Sequence, residues 1–495
     1  MYSKNKQQAS PGFTQRALGA HKILGLSLAA LMYLICLSGV VAILAHELER
    51  WEQPGIDEVT QFGAATLDAD KIDSSYRQFL QQQPEKTEHI HVVFPRPSIP
   101  RLVVENDHKA FFVNHDGSIG DEENAPWSKM VADLHSHLHL PVNIGTFITG
   151  IMAVVFLALI VSGLLNHTSI FKEAFRFRSG GLKSNIDLHN RLAIWGLPFH
   201  LMIAMTSAYF GLVGIILIVT ANMFYDGKQE AILAEVFGPE PELHQQPLIA
   251  DVRNGIKQLQ KIAPDSKPIF MTLHEAGTES QFIEFYTLTP QRLYYAEAYR
   301  FDGYGNFIEK VAAADKATGN QILMSTYRLH FGDYGGFWIK ILYVLLGAGL
   351  TLICASGVNI WLAKRRHKDA INCLWAAIVW GTPTALALSF FATITFTLSP
   401  HWSFWLPLLT IIIASCFTQD DQRLAKTLVA TGVAANLLGL VAYNWVNFAA
   451  WGSAASLGMN GFLLCTLLSF LLFSKLKSLA TPPFGQAKLS PAPHP

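Results

Sequence analysis

Charge is what this chain has least of. Lys, Arg, Asp and Glu make up only 15% of its 495 residues, where a soluble chain carries nearer about 25%. Positive and negative side chains balance at 37 each, so no excess of charge points to nucleic acid. Cysteine is also scarce. Cys36, Cys354, Cys373, Cys416 and Cys465 all lie in apolar runs, which excludes a disulfide framework in the polar segments. No C-x-x-C-H and no four-cysteine spacing occurs, which argues against covalent c-type haem and an iron–sulfur cluster. No G-x-G-x-x-G opens a helix after a strand, and GGLKS at 180–184 is too short for a phosphate loop.

What is present is apolar, 51% of the chain. Runs of about 20 apolar residues recur, long enough to cross roughly 30 Å of hydrocarbon. Eight spans are read at 22–46, 145–166, 191–222, 337–363, 370–397, 402–417, 425–447 and 454–474. The sixth is short. The first is too long, with the wrong flank, for a cleaved signal peptide. Lys4, Lys6, Arg16 and Lys22 precede the first span, and Lys172, Arg176, Arg178 and Lys183 follow the second. KRRHK follows the fourth, Arg423 and Lys426 follow the sixth, and Lys475 and Lys477 end the last. The intervening loops SPHWS and FAAWGS carry neither Lys nor Arg. That alternation predicts a multi-pass protein of a bacterial inner membrane with both termini cytoplasmic.

Two polar segments, about 48–140 and 223–335, are read as outward-facing and resemble each other. Each has a helix-like run, Ile72 to Gln83 or Ile249 to Ile262, followed by four strand-like runs. Each has an Asp-Gly turn before its last strand, at NHDGS and DGYGN. Each is therefore expected to form a small α+β module. The expected class is mainly α: a polytopic helical bundle of about eight spans with two such periplasmic modules. The expected order is an N-terminal segment 1–20, a first repeat 21–166, a loop 167–188, a second repeat 189–366, an appended four-span bundle 367–474 and a tail 475–495. Span, module, span occurs twice in the same orientation, a parallel repeat.

Histidines mark the span ends. His21 opens the first span, with Ser38-Gly39 at offsets 17 and 18; His189 opens the third, with Thr206-Ser207 at the same offsets. His135 precedes the second, with Ser162-Gly163 beyond it, and His330 precedes the fourth, with Ser356-Gly357 beyond it. Neutral imidazole is an axial ligand of haem iron, and two per iron suit electron transfer. The topology puts His21 and His189 at the cytoplasmic face and His135 and His330 at the outer face, so each pair is expected to clamp one haem b. The blander reading is that all four lie at the headgroup level. The glycines allow close helix approach or room for a porphyrin face; after Thr206-Ser207 none occurs before Gly211.

His200 is a rival ligand. It lies 11 residues after His189, nearly on one helical face, about 16 Å further along. His135, His137 and His139 form an HSHLH cluster, and in a helix His135 and His139 share a face. A transient iron site with Asp133 is one reading of that cluster. Arg191 and Arg328 flank ligand positions and would pair haem propionates, or snorkel to headgroups. His46, His167 and His367 read as interfacial. Trp51, Trp127, Tyr327, Phe331, Tyr334, Phe337 and Trp338 read mostly as an interfacial belt.

AHKILGL at 20–26, DLHSHLHL at 133–140, SGLL at 162–165, DLHNRLAIWGLP at 187–198, RLHFGDYGGFW at 328–338 and ASGVNIWL at 355–362 resemble the PepSY-associated transmembrane family over about 15–366. Its better understood members include inner-membrane siderophore reductases holding two b-type haems. The resemblance implies a ferric-siderophore reductase, with a ferric siderophore or another Fe(III) chelate as outer acceptor. The donor, a quinol or a cytoplasmic reductase, would come from outside the chain. A transporter and a non-enzymatic partner-binding protein remain as alternatives; colour in the purified protein separates the cytochrome from both.

Overall fold

The computed structural model describes residues 12–83, 87, 89–166, 169–176, 178, 181–288, 292–294, 296–311 and 318–475. Lys4, Lys6, His167, Gly180 and Lys477 lie outside the described residues.

The two halves repeat one order of elements. The first runs α1 (Phe13–Ser27), α2 (Ala29–Ala42), α3 (Ala45–Glu52), α4 (Ala69–Gln82), β1 (His89–Val93), β2 (Val103–Asn106), β3 (Ala110–Val113), β4 (Ile119–Glu122), α5 (Pro126–His137) and α6 (Val142–Asn166). After α7 (Ile170–Ala174), the second runs α8 (Gly181–Trp195), α9 (Leu197–Phe224), α10 (Gln229–Phe237), α11 (Val252–Ile262), β5 (Lys267–His274), β6 (Phe282–Leu288), β7 (Glu297–Asp302), β8 (Phe307–Val311), α12 (Thr318–Phe331) and α13 (Gly336–Ala363). Four helices follow: α14 (Ala370–Phe396), α15 (Pro400–Ser415), α16 (Asp421–Val446) and α17 (Ala454–Lys475).

Among the described residues five helices, α6, α9, α13, α14 and α16, are long and apolar enough to cross a membrane; α1 with α2 make a sixth if counted as one span. The expected first span is not straight, because α1 and α2 meet at a 69° bend. Gly25 and Ser27 precede the break at Leu28, the small-residue composition that accompanies kinks. The expected third span is also broken. α8 stops at Trp195, Gly196 intervenes, and Pro198 falls in the first turn of α9, where its missing N–H costs no hydrogen bond. Both breaks lie seven residues beyond the first histidine of their half, at Leu28 and Gly196. α15 has 16 residues, about 24 Å of helix, which falls short of a full hydrocarbon crossing.

The two polar segments do not form separate sheets. Their strands join in one eight-stranded antiparallel sheet, in the order β4-β3-β2-β1-β5-β6-β7-β8. The seam is β1 against β5, with His89 opposite His274 and Val93 opposite Phe270. Each first strand covers the other's open edge, which would otherwise expose unpaired backbone groups. Ile90, Val92, Val104, Leu273, Ile283, Phe285 and Phe301 point to one side and form a core with Ile72, Tyr76 and Phe79 of α4 and Ile256 and Leu259 of α11. Full burial of each such side chain contributes about 1.5–3 kcal/mol. Asp68 and Asp251 cap the two helices by accepting backbone N–H bonds at their starts.

The opposite side of the sheet carries its buried polar groups, interleaved with Phe270, Phe282 and Tyr286. Buried Arg101 donates to the carbonyls of Arg50 and Gln53 at the end of α3, and buried Arg300 donates to those of Phe237 and Pro239 at the end of α10. α3 and α10 directly follow the apolar helices α2 and α9. The polar side therefore faces the helical bundle, and α4 and α11 lie away from it. Across the halves, buried Lys340 of α13 donates to both carboxylate oxygens of Glu47 of α3 at 2.6 and 2.8 Å.

Candidate functional site

The four span-end histidines share one local construction. His21 Nδ1 on α1 lies 3.1 Å from Leu159 O and 3.1 Å from Ser162 Oγ on α6. His189 Nδ1 on α8 lies 3.2 Å from Ile353 O and 3.0 Å from Ser356 Oγ on α13. His135 Nδ1 on α5 lies 2.9 Å from Ile35 O on α2, and the Ser38 hydroxyl donates to that same carbonyl. His330 Nδ1 on α12 lies 2.9 Å from Thr206 Oγ1 on α9, whose own hydroxyl hydrogen goes to the carbonyls of Met202 and Ile203. Each imidazole thus rests on a Ser or Thr, or on the carbonyl three residues before it, in the other apolar stretch of its own half. A carbonyl oxygen only accepts, so Nδ1 carries a proton, and in the neutral ring Nε2 carries the lone pair. This is the tautomer and anchoring that metal-ligating histidine uses.

Glycine completes three of the four seats. A Cβ at Gly39 would lie 2.6 Å from His135 Cε1, inside any tolerated contact, whereas at Gly163 and Gly357 it would lie 3.5 and 3.4 Å from His21 and His189 Cε1. The fourth seat has Ser207. Gly211 does not replace the missing glycine; it packs against Gly150, where α6 and α9 approach closely.

At the sheet end the His135 and His330 rings face each other with centroids 6.3 Å apart and planes 26° apart. Two imidazoles bound through nitrogen to one first-row metal at about 2 Å each would put their centroids roughly 6 Å apart. Burial pushes the His135 imidazole below its ordinary pKa, against the raising effect of the Ile35 carbonyl. Burial first, then the neighbouring His135, pushes His330 down to about 3. Both are therefore neutral, the form that binds metal.

At the far end of the bundle His21 and His189 line one cavity of about 570 Å³, within the usual range of cofactor pockets. Its walls are mostly apolar, with Gly163 and Gly357 among them. Lys22 and Lys364 also line it. In sequence these two mark only the cytoplasmic flanks of spans; in the structure they are the cations placed to meet an anionic group there.

His200 lines the same cavity. It is 3% exposed, and its Nε2 is buried with no hydrogen-bond partner. It does not continue the helix of His189, because the chain breaks at Gly196 between them. Gly196 leaves room for its ring, since a Cβ there would lie 2.3 Å from His200 Cε1.

Five other expectations are corrected. His139 shares no helical face with His135: α5 ends at His137, and Leu138 and His139 both have positive φ, 58° and 56°. Both His139 nitrogens are engaged, Nε2 donating to Met130 O at 2.7 Å and Nδ1 accepting from Trp405 Nε1 at 2.8 Å. Arg328 is held by the backbone, donating to the carbonyls of Asp333 and Arg292. Arg191 is two positions from His189, about 200° round the helix, and does not line the cavity. Among the described residues no group of three or more His, Cys, Asp or Glu is placed to hold a metal ion, so the HSHLH cluster forms no such site. Trp51 and Trp127 are buried in the bundle rather than lying in a belt.

Residues 18–364 match the PepSY-associated TM region family. The chain belongs to that family. The match contains all four seated histidines and His200, and it ends before α14. A curated relative, an uncharacterized protein of Pseudomonas aeruginosa, is 26% identical over 255 residues, which are 48% of this chain and 64% of that protein. The chain thus spans about 64% of that relative's length.

The donor set fits haem b. It offers two pairs of imidazoles anchored through Nδ1, one pair at metal-bridging separation and the other lining a cavity of cofactor size. His200, whose Nε2 is buried without a hydrogen-bond partner, lines that same cavity.

Proposed function

We propose that this member of the PepSY-associated TM region family is a di-haem b-type cytochrome of the bacterial inner membrane. It would carry electrons from a quinol or a cytoplasmic reductase to a ferric chelate, a siderophore complex, in the periplasm. The observation that carries this reading is the repeated seat, in which four imidazoles from two halves of a duplicated bundle are each fixed through Nδ1. Haem bound there would supply reversible one-electron exchange.

The chain's residues do the rest. Ser162, Ser356, the Ile35 carbonyl and Thr206 fix the tautomer and orientation of their imidazoles, so that little reorganisation is needed on binding. Lys22 and Lys364 would neutralise propionates at the cavity, the part first assigned to Arg191. The polar side of the sheet would roof the outer pair, and the acceptor would be met on that side of the bundle. Loss of charge on iron weakens its oxygen-donor chelate, so reduction would release it.

The test is spectroscopic. The full-length chain, purified after haem-replete expression, is expected to show a reduced b-type spectrum at two haems per chain. Colourless protein under those conditions would end the reading.

A further inference from the structure

The family match stops at residue 364, yet α14–α17 pack on the family region: Trp375 of α14 lies against Tyr33 of α2 and Ala355 and Val358 of α13, and in a second cluster α14–α17 enclose α3 and α5. We infer that this appended bundle positions His135, the outer imidazole of the first half; the functional part of the inference rests on the di-haem reading above.

Three observations converge on α5, the helix that carries His135. Its buried face, Trp127, Met130, Val131 and Leu134, packs in one cluster with Leu386, Phe390, Phe404, Leu408 and Tyr443 of the appended helices. The same helices hold α3, which continues the chain from the α2 seat of His135. Trp51 stacks between Phe390 and Tyr443 at 5.1 and 4.1 Å, and its indole donates to Asn460. Beyond α5, His139 acts as a strut. One nitrogen holds the Met130 carbonyl, the other accepts from Trp405 of α15, and the ring lies 4.5 Å from that of His401.

The backbone shows why a strut is needed. Leu138 and His139 are consecutive non-glycine residues in the left-handed region. Such geometry is disfavoured for residues with a Cβ and persists where the surroundings over-determine it. The Trp405–His139–Met130 bridge supplies that constraint four residues from His135. His330 has no matching grip: the appended cluster contains no residue of α12, and Ile322 on α12 is 65% exposed. One imidazole of the outer pair is therefore tied to the appended bundle and the other is not, which splits two sites that the repeat alone would make alike.

Trp405→Phe removes the indole donor and keeps an aromatic ring, and Trp402→Phe on the exposed side of α15 is the control. In hydrogen exchange on the full-length chain, amides 131–138 are expected to exchange about fivefold faster in Trp405→Phe. Amides 323–331 and the control should not change. Unchanged exchange at 131–138 overturns the inference whether or not haem is bound. In the haem-loaded chain, the centre lost in His330→Ala should shift in redox midpoint and in its low-spin resonance in Trp405→Phe, and the other centre should not. Faster exchange with both centres unaltered would overturn the positioning role. Faster exchange in a chain that binds no haem would overturn the di-haem reading and leave the grip on α5 standing.

Discussion

At the residue scale the tightest of the glycine contacts with the four seated histidines is at Gly39. A methyl group there has nowhere to go without moving the His135 ring, whereas at Gly163 it makes an ordinary contact with His21. Gly39→Ala is therefore expected to lose the outer haem, read as a halved haem-to-chain ratio. Gly163→Ala should keep both haems with a shifted spectrum at most. Equal effects would show that these glycines serve helix packing alone. The histidines themselves were legible, because an imidazole at the end of an apolar run is unusual and four recur in order. Their partners were not. The 17-residue offset from His21 to Ser38 is real, but His21 rests on Ser162, and Ser38 belongs to the seat of His135. Spacing along a chain says which residues share a helix, not which helix lies opposite. His139 misled for a related reason: the sequence carries no Gly or Asn to announce the left-handed turn at Leu138.

At the scale of elements, the sheet's polar side carries a buried network. Glu284 of β6 accepts from His274 of β5, from Tyr286, and from Arg300 of β7 at 3.1, 2.5 and 2.7 Å. Burial raises its pKa, but these hydrogen bonds outweigh burial and hold the carboxyl below its ordinary value. A depressed folded pKa means the unfolded chain binds more protons, so the stabilisation is complete above about 4.5 and is lost as pH falls through the folded value. Glu284→Gln leaves Arg300 buried without its full partner and should cost about 3 kcal/mol near neutral pH. It should also flatten the acid limb of a melting-temperature profile between neutral pH and about pH 3. A profile parallel to that of the parent chain would place the acid sensitivity elsewhere. The strands were read correctly from their alternation and Asp-Gly turns. The β1–β5 seam was hidden, because alternation assigns faces and is silent about which strand lies beside which.

At the scale of the whole molecule, duplication builds the cofactor frame and one buried ion pair, Lys340 with Glu47, ties its halves together near the sheet. The parallel repeat was visible in the order of spans and polar segments. Of its breaks, the one at Gly196 was signalled by Pro198, whereas the one at Leu28, itself neither Gly nor Pro, was not. Among the described residues the expected eight crossings correspond to five long apolar helices, the bent pair α1–α2, the shorter α15 and the terminal α17. If the duplicated frame holds two haems, loss of ligands should follow the pairing of the seats. The deciding measurement is the haem-to-chain ratio, with a redox titration, of His21→Ala, His189→Ala, His135→Ala, His330→Ala and the two within-pair double variants. Each single variant should lose one haem of two, and each double variant should lose the same centre as its singles and no more. Retention of both haems in any of the four singles, or loss of different centres by His135→Ala and His330→Ala, would contradict the paired-imidazole frame.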